Sequence, residues 1–466
     1  MSRDAAGSRV PDYLLHMLQA TQSSSNPARN EAVEAMSTIS GQTPPGPADA
    51  YDPSEDLLEW MQLNFERYGD IYSARIFGAS VYVVNTPQMA EHVLVKNWGN
   101  YLRKGQAVKR IAFSLGPGLI STNGERWASQ RRMIQPAFTR EAVSALFDAI
   151  CVPNQSLCVR WRQAAAADQS LDVTRDLSLT VLEVTLRALF GRNYDLVAPE
   201  FQIIADESRD LEFAHICSQL GSLIVAVVQA RRKRQSDDAD ILGRMMSARD
   251  RQGAPMPDAQ LAREALTLVI AGHETTASVL NWIWYLLAKH PDIQSRVAIE
   301  VRDSKAKEAL SMKTLEQLSY TCSVVEESLR SYPPLWLMTR KTIKPDLLGG
   351  YRVPSGTEIY ISPYLLQRHP RLWRDPHRFD PERFEAGNSE NQQRLSMCPF
   401  GAGPRNCIGE YFARVEMQVH LATVIDTLSL RNTVEEPARI VAGVNLLSRN
   451  HFIMRPQLRN DSAANR

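Results

Sequence analysis

The chain has 466 residues, 44% of them hydrophobic and 23% charged, with 53 basic against 52 acidic side chains and a formal net charge of +1. That length allows one large domain or two to three ordinary ones, and the balanced charge gives no bulk reason to seek nucleic acid or an anionic membrane. Six cysteines without a CxxC pair or a dense framework exclude a disulfide scaffold and suit a reducing cytoplasm.

Residues 1–50 are rich in Ser, Ala, Asn, Pro and Gly, end in QTPPGPADA, and read as a loosely held tail. The longest apolar run there, YLLHML (13–18), is far below the roughly 20 residues that span a bilayer, so neither a transmembrane anchor nor export is expected. From SEDLLEWMQLNFERYG a helix leads into two alternating β-rich runs, DIYSARIFG and ASVYVVNT, and Pro87 opens another helix. Between about 120 and 330 helical periodicity dominates, and short β-like pieces return at LWLMTRKT, YRVPSGTEIYIS and VNLLSRNHFIMRP. No repeat or linker divides 51–466, so the expectation is one mainly α domain with small β-sheets.

Within that domain a few stretches stand out. The helix beginning near residue 258 is apolar on most sides, which reads as burial through the middle of the domain, yet it contains AGHETT (271–276). Buried carboxylates and hydroxyls need a reason. Glu274 and Thr275 supply an acid and an alcohol for relaying protons, with Gly272 and the threonines letting the helical ladder widen and admit water. Glu327 and Arg330 in EESLR stand at i, i+3, by themselves an ordinary ion pair. Near the end, PFGAGPRNCIG (399–409) sets three glycines and two prolines around Cys407, just ahead of the helical EYFARVEMQVHLATVIDTL. The unsatisfied N–H groups of a helix start favour a thiolate, and hence a metal ligand. Zinc lacks a second ligand pair, and a dinucleotide fingerprint fails at Asn406. Iron in a haem needs only one axial protein ligand.

Phe400, Gly403, Arg405, Cys407 and Gly409 match the F-x-x-G-x-R-x-C-x-G signature, and here the chain resembles the cytochrome P450 family of haem-thiolate monooxygenases over about residues 50–460. The resemblance implies that family's fold, with haem b between the long central helix and the cysteine loop, and Cys407 as the iron ligand. It places Glu274 and Thr275 over the distal face, with Ala271 leaving room for dioxygen and substrate. Glu327 and Arg330 match its E-x-x-R motif and Arg383 its P-E-R-F motif, implying a triad that holds the cysteine loop. Trp127 and Arg131 match its W-x-x-x-R helix; these two, with Arg340 and Arg405, are the implied propionate contacts. Phe400 and Gly409 would border the cofactor. Leu266, Ile270, Ala271, Leu335, Trp336, Leu337, Val444 and Leu446 would line the substrate pocket, and their apolar character suggests a hydrophobic substrate. Electrons would come from NAD(P)H through a separate ferredoxin or flavodoxin-type protein and its reductase, docking near Arg131–Arg132. A haem-thiolate isomerase or dehydratase working without reductant is the alternative, for which the Glu274–Thr275 pair would be superfluous.

Relatives carry a substrate lid between the segments corresponding to LRALFG and RRKR, and only 192–230 is available here, so a short lid is expected. Its LGSLIVAVV (220–228) reads as apolar on every side. Either this helix packs deep, or Ile224 and Val228 face a partner: a second copy, or a carrier protein presenting a tethered substrate.

Overall fold

The computed structural model describes residues 42–103, 115–202, 213–235, 238–385, 395–433 and 436–459. Residues 1–41, and with them most of the expected tail, lie outside these, as does 203–212 within the lid. Residues 42–50 are not loose. The Pro45 carbonyl accepts from Ser73 N at 2.8 Å, the Pro44 carbonyl accepts from Ser73 Oγ at 2.8 Å, and the Gln42 carbonyl accepts from Arg352 N at 3.1 Å. The proline-rich stretch thus docks on an edge strand through carbonyls, the one hydrogen-bonding group proline keeps.

Helix α1 (Leu57–Tyr68) starts at Asp56, whose side chain accepts from Glu59 N, and stops at Gly69 with φ +85°. The next two strands, β1 (Ile71–Ile76) and β2 (Ala79–Val84), form a hairpin whose two turn residues, Phe77 and Gly78, both have positive φ. With β3 (Tyr101–Leu102), β4 (Met338–Thr342) and β5 (Glu358–Ile361) they make a five-stranded sheet in the order β1-β2-β5-β4-β3, in which only the β2–β5 pairing is parallel.

The remaining elements are mostly helical: α2 (Gly124–Ile134), α3 (Phe147–Ala166), α4 (Val173–Phe190), α5 (Phe213–Arg234), α6 (Asp258–Lys289), α7 (Pro291–Lys307), α8 (Ser319–Ser331) and α9 (Glu410–Val424). Helix α3 continues through Pro153. At the centre, α6 spans 32 residues and packs against α4, α5, α7, α8 and α9. Trp161, Trp282, Trp284 and Phe190 are fully buried in the large helical core. Two smaller cores lie between the sheet and its flanking segments.

Helix α5 corrects the sequence reading. Ile216, Leu220, Ile224, Val227 and Val228 are buried in one stripe of helical period, while Ser218, Ser222 and Ala226 face outward. Ile224 and Val228 have no exposed surface, because the stripe lies on α6. A partner surface on those two side chains is therefore excluded. One buried ion pair ties the roots of this lid together. Arg231 Nη1 and Nη2 donate to Asp240 Oδ1 and Oδ2 at 2.7 and 2.9 Å, Nε to Asn193 Oδ1 at 2.8 Å, and Nη2 also to the Phe190 carbonyl at 2.6 Å.

Candidate functional site

The segment from Gly401 to Gly409 turns sharply before α9. Its Gly403 has φ +68°, and a Cβ there would stand 2.0 Å from the Leu94 carbonyl oxygen, so the glycine is demanded by protein packing. A Cβ on Gly409 would meet only Phe138, at an ordinary 3.8 Å, so the polypeptide itself makes no such demand there. Cys407 N donates to the Phe400 carbonyl at 2.8 Å, which fixes the cysteine's backbone. The side chain of Cys407 is accessible, yet burial is the leading influence on its thiol; together these place it on the wall of an internal space. Burial raises its pKa despite a hydrogen bond from the Gly409 amide and the nearby Arg131 and Arg103 charges. The expected thiolate-favouring helix start is thus outweighed by desolvation in the polypeptide alone.

Four arginines gather beside this loop. Arg131 reaches across from α2, donating from Nη1 to the Asn406 carbonyl at 2.9 Å and from Nη2 to Asn406 Oδ1 at 3.0 Å. Arg405 lies 3.9 Å from the centroid of Trp127 and donates to the Thr122 carbonyl at 2.9 Å and to Asn123 Oδ1 at 3.0 Å. Arg340, buried on β4, donates to the Thr339 carbonyl at 2.9 Å. Burial, then the Arg103 and Arg405 charges, pulls its pKa down to about 9. Burial, then Arg103 and Arg131, does the same to Arg405. Arg103, which the sequence reading missed, is the common neighbour, and its own pKa is lowered by burial and by Arg131. No sequence pattern marks it, because its companions lie from 28 to 302 positions away. A cluster of like charges in which no carboxylate appears among these influences is suited to a ligand carrying two carboxylates. The residues present therefore fit a haem: the arginines would suit its two carboxylates and Cys407 would suit its iron.

The triad implied by the sequence is brought together. Glu327 and Arg330 are fully buried on α8, paired through Oε2–Nε at 2.6 Å and Oε1–Nη2 at 2.7 Å. Arg330 Nη1 also donates to the carbonyls of Gln367 and Pro376 at 2.8 and 2.9 Å, and Glu327 Oε1 accepts from Asp380 N at 2.9 Å. Arg383 is the looser member, 3.7 Å from Glu327, while its Nη2 donates to the Asp375 carbonyl at 2.9 Å. No local pattern points to Gln367: its amide nitrogen donates to the carbonyls of Leu329 and Arg330, and its oxygen accepts from Cys398 N at 3.0 Å, linking α8 to the segment entering the loop.

On α6, Ala271 and Glu274 are exposed and Thr275 is half-buried, although the surrounding helix is packed on several sides. The helix stays α-helical through Gly272, and the Thr275 hydroxyl donates to the Ala271 carbonyl at 2.7 Å. His273 points the other way, its Nε2 3.0 Å from Ser178 Oγ on α4. Two of the implied pocket segments meet: Leu446 N donates to the Pro334 carbonyl at 2.9 Å and Trp336 Nε1 to the Gly443 carbonyl at 2.8 Å. Leu266, Trp336 and Leu446 are packed into cores and keep little or no surface for a ligand, whereas Ile270, Ala271, Leu335, Leu337 and Val444 retain some. Among the described residues no helix is long and apolar enough to cross a membrane.

The cytochrome P450 family model matches residues 48–213 and 204–452. Among curated proteins the chain is similar to cyclooctatin synthase of Streptomyces melanosporofaciens, with 30% identity over 78% of this chain and 83% of that one. It is similar also to cyclooctat-9-en-7-ol 5-monooxygenase of the same organism (28%, 78% and 83%). Pentalenene oxygenase of Streptomyces avermitilis is a third relative (29%, 80% and 86%). In fold it resembles the crystal structure of a cytochrome P450 heme domain at a TM-score of 0.81, 22% identity and coverage of 91% of this chain and 98% of that one. A retinoic acid bound cyanobacterial relative gives a TM-score of 0.77 at 23% identity, covering 90% and 100%.

Proposed function

We propose, from the premise that this chain belongs to the cytochrome P450 family and is a monooxygenase, that it hydroxylates or epoxidises a cyclic terpenoid with electrons from a separate redox protein. The carrying observation is that Ala271 and Glu274 are exposed and Thr275 is half-buried inside an otherwise packed central helix, an acid and an alcohol beside a small residue. Haem b would be held by Cys407 and by Arg103, Arg131, Arg340 and Arg405, and would supply the dioxygen and electron chemistry. Glu274 takes up protons at its carboxylate, and Thr275 Oγ1, its own proton engaged by the Ala271 carbonyl, offers lone pairs to a donor in the cavity. Ile270, Leu335, Leu337 and Val444 exclude water and orient an apolar skeleton. Three relatives named for cyclic terpenoid products or substrates support that class.

Exposed Arg132, next to the Arg131 that bonds Asn406, and exposed Arg140, which lies over the Tyr411 ring, suit an acidic ferredoxin or flavodoxin-type donor fed by NAD(P)H. Titrating the haem-loaded protein with a panel of cyclic terpenoids should shift the Soret band for at least one, and surrogate donors should then yield an oxygenated product. Thr275→Ala should keep haem and substrate binding while product per NADPH falls several-fold and peroxide rises. Unchanged coupling would remove Thr275 from the relay; a panel without a shift would overturn the substrate class.

A further inference from the structure

Glu264 is a buried carboxyl that the proposed chemistry does not use. It sits on α6, 1% exposed, and its Oε2 accepts from the backbone amide of Leu119 at 2.9 Å. Oε1 is buried without a hydrogen bond of ordinary geometry, although the Gln260 amide one turn back approaches the carboxyl. Burying a carboxyl for a single backbone amide is costly unless the position of that amide matters.

Leu119 belongs to a tight turn, Gly116–Thr122. The Gly118 carbonyl accepts from Ser121 N, Thr122 N and Thr122 Oγ1, and Thr122 Oγ1 also bonds Gln130 of α2. The turn touches both sides of the site. At one end its Thr122 carbonyl accepts from Arg405 of the cysteine loop at 2.9 Å. At the other it lies so close to α6 that a Cβ on Gly118 would stand 3.1 Å from Thr267 Oγ1 and 3.2 Å from Glu264 Oε2. Seven residues separate Glu264 from Ala271, which puts both on one face of the helix, about 10 Å apart along its axis.

We infer that Glu264 is a positioning residue for substrate specificity, pinning the 116–122 turn to α6 as a wall of the chamber that opens over Ala271. The inference rests on the reading of Ala271–Thr275 as the substrate-facing stretch. Gln at 264 retains an acceptor for Leu119 N, whereas Ala leaves that amide buried and unpaired. Gly118→Ala attacks the same contact from the turn and leaves the carboxyl in place.

The test compares the haem-loaded full chain with Glu264→Gln, Glu264→Ala and Gly118→Ala. Hydrogen exchange across 115–122 should rise about tenfold in Glu264→Ala and Gly118→Ala, and stay near wild type in Glu264→Gln. Titration with whichever terpenoid of the panel most shifts the wild-type spectrum should show about tenfold weaker binding in the two disrupting variants, kcat changing far less than KM. Unchanged exchange in Glu264→Ala overturns the pin. Faster exchange with unchanged affinity and product pattern overturns the role in specificity. Equal loss of affinity in Glu264→Gln and Glu264→Ala, without faster exchange, overturns it too, since the charge and not the turn would then be felt. If no terpenoid shifts the wild-type spectrum, the substrate reading fails, and the exchange arm still decides whether the turn is pinned.

Discussion

Arg340 sits among Arg103 and Arg405 with burial and like charge acting together, which pulls its pKa down to about 9. Such a residue is unfavourable for the polypeptide and useful for a doubly carboxylated ligand. Arg340→Gln should therefore separate two properties usually lost together. The haem-free chain should gain about 1 kcal/mol of stability from relieved repulsion, while the haem-loaded protein releases its cofactor faster. Thermal melts of both forms and haem transfer to an acceptor globin would check it; a destabilised haem-free form would show that packing, not charge, governs the site. His420 offers a second case. It is fully buried, accepts from Trp284 Nε1 through Nε2 at 2.7 Å and donates through Nδ1 to Asn154 Oδ1 at 2.7 Å. Burial holds its pKa down to about 3, against an ordinary 6.5. A depressed folded-state pKa means that below about pH 6.5 only the unfolded chain takes up the proton, so this group's contribution is present above 6.5 and is lost as pH falls toward 3. The loss runs at about 1.4 kcal/mol per pH unit. Between pH 6.5 and 5 the wild type should lose about 2 kcal/mol more than His420→Gln in denaturant titrations. Identical pH slopes would refute the assignment.

Periodicity and turn chemistry specify those elements whose partners are close in sequence. The β1–β2 hairpin closes at Phe77–Gly78, and the long apolar pattern from 258 onward becomes α6. Where a neighbour distant in sequence decides, the reading fails. Residues 220–228 look apolar all round, yet Ser222 and Ala226 are the outward positions, small enough that composition hides the stripe laid on α6. Pro44–Pro47 reads as the end of a loose tail because nothing local reveals that Ser73 bonds the Pro44 and Pro45 carbonyls. The motif residues were legible one by one because their spacings are short, but Arg103, Gln367 and Glu264 carry no local pattern and emerge only from contacts across the chain. Helix α5 also shows how an element is anchored at one end. Arg231 is buried with two carboxylate contacts and two further acceptors, so Arg231→Ala strands Asp240 and should cost about 3–5 kcal/mol in denaturant titrations. A loss below about 1 kcal/mol would mean that water replaces the guanidinium.

Across the whole molecule the site is a junction of segments far apart in the chain. Arg330 and Glu327 hold 376–380, Gln367 carries the connection to Cys398, and the Cys398 carbonyl accepts from Gly401 N at 2.9 Å, at the entry to the cysteine loop. Glu327→Gln should leave Arg330 buried with an uncompensated charge, costing about 3–5 kcal/mol. The expected readout is loss of the red-shifted ferrous–CO band of thiolate ligation at temperatures where secondary structure, followed by circular dichroism, persists. Loss of both signals at one temperature would show that the network supports the entire fold and not the loop in particular. The bond from Arg231 to Asn193 and Asp240 bears on this scale as well. Because it fixes the two roots of the lid to each other, lengthening the chain between Phe201 and Ile216 costs little in closure entropy, only about 0.6 kcal/mol for each doubling. Lid length between those roots is thus a variable the fold tolerates as long as the Ile216–Val228 stripe keeps its seat on α6, with the arginine cluster and the cysteine loop left untouched.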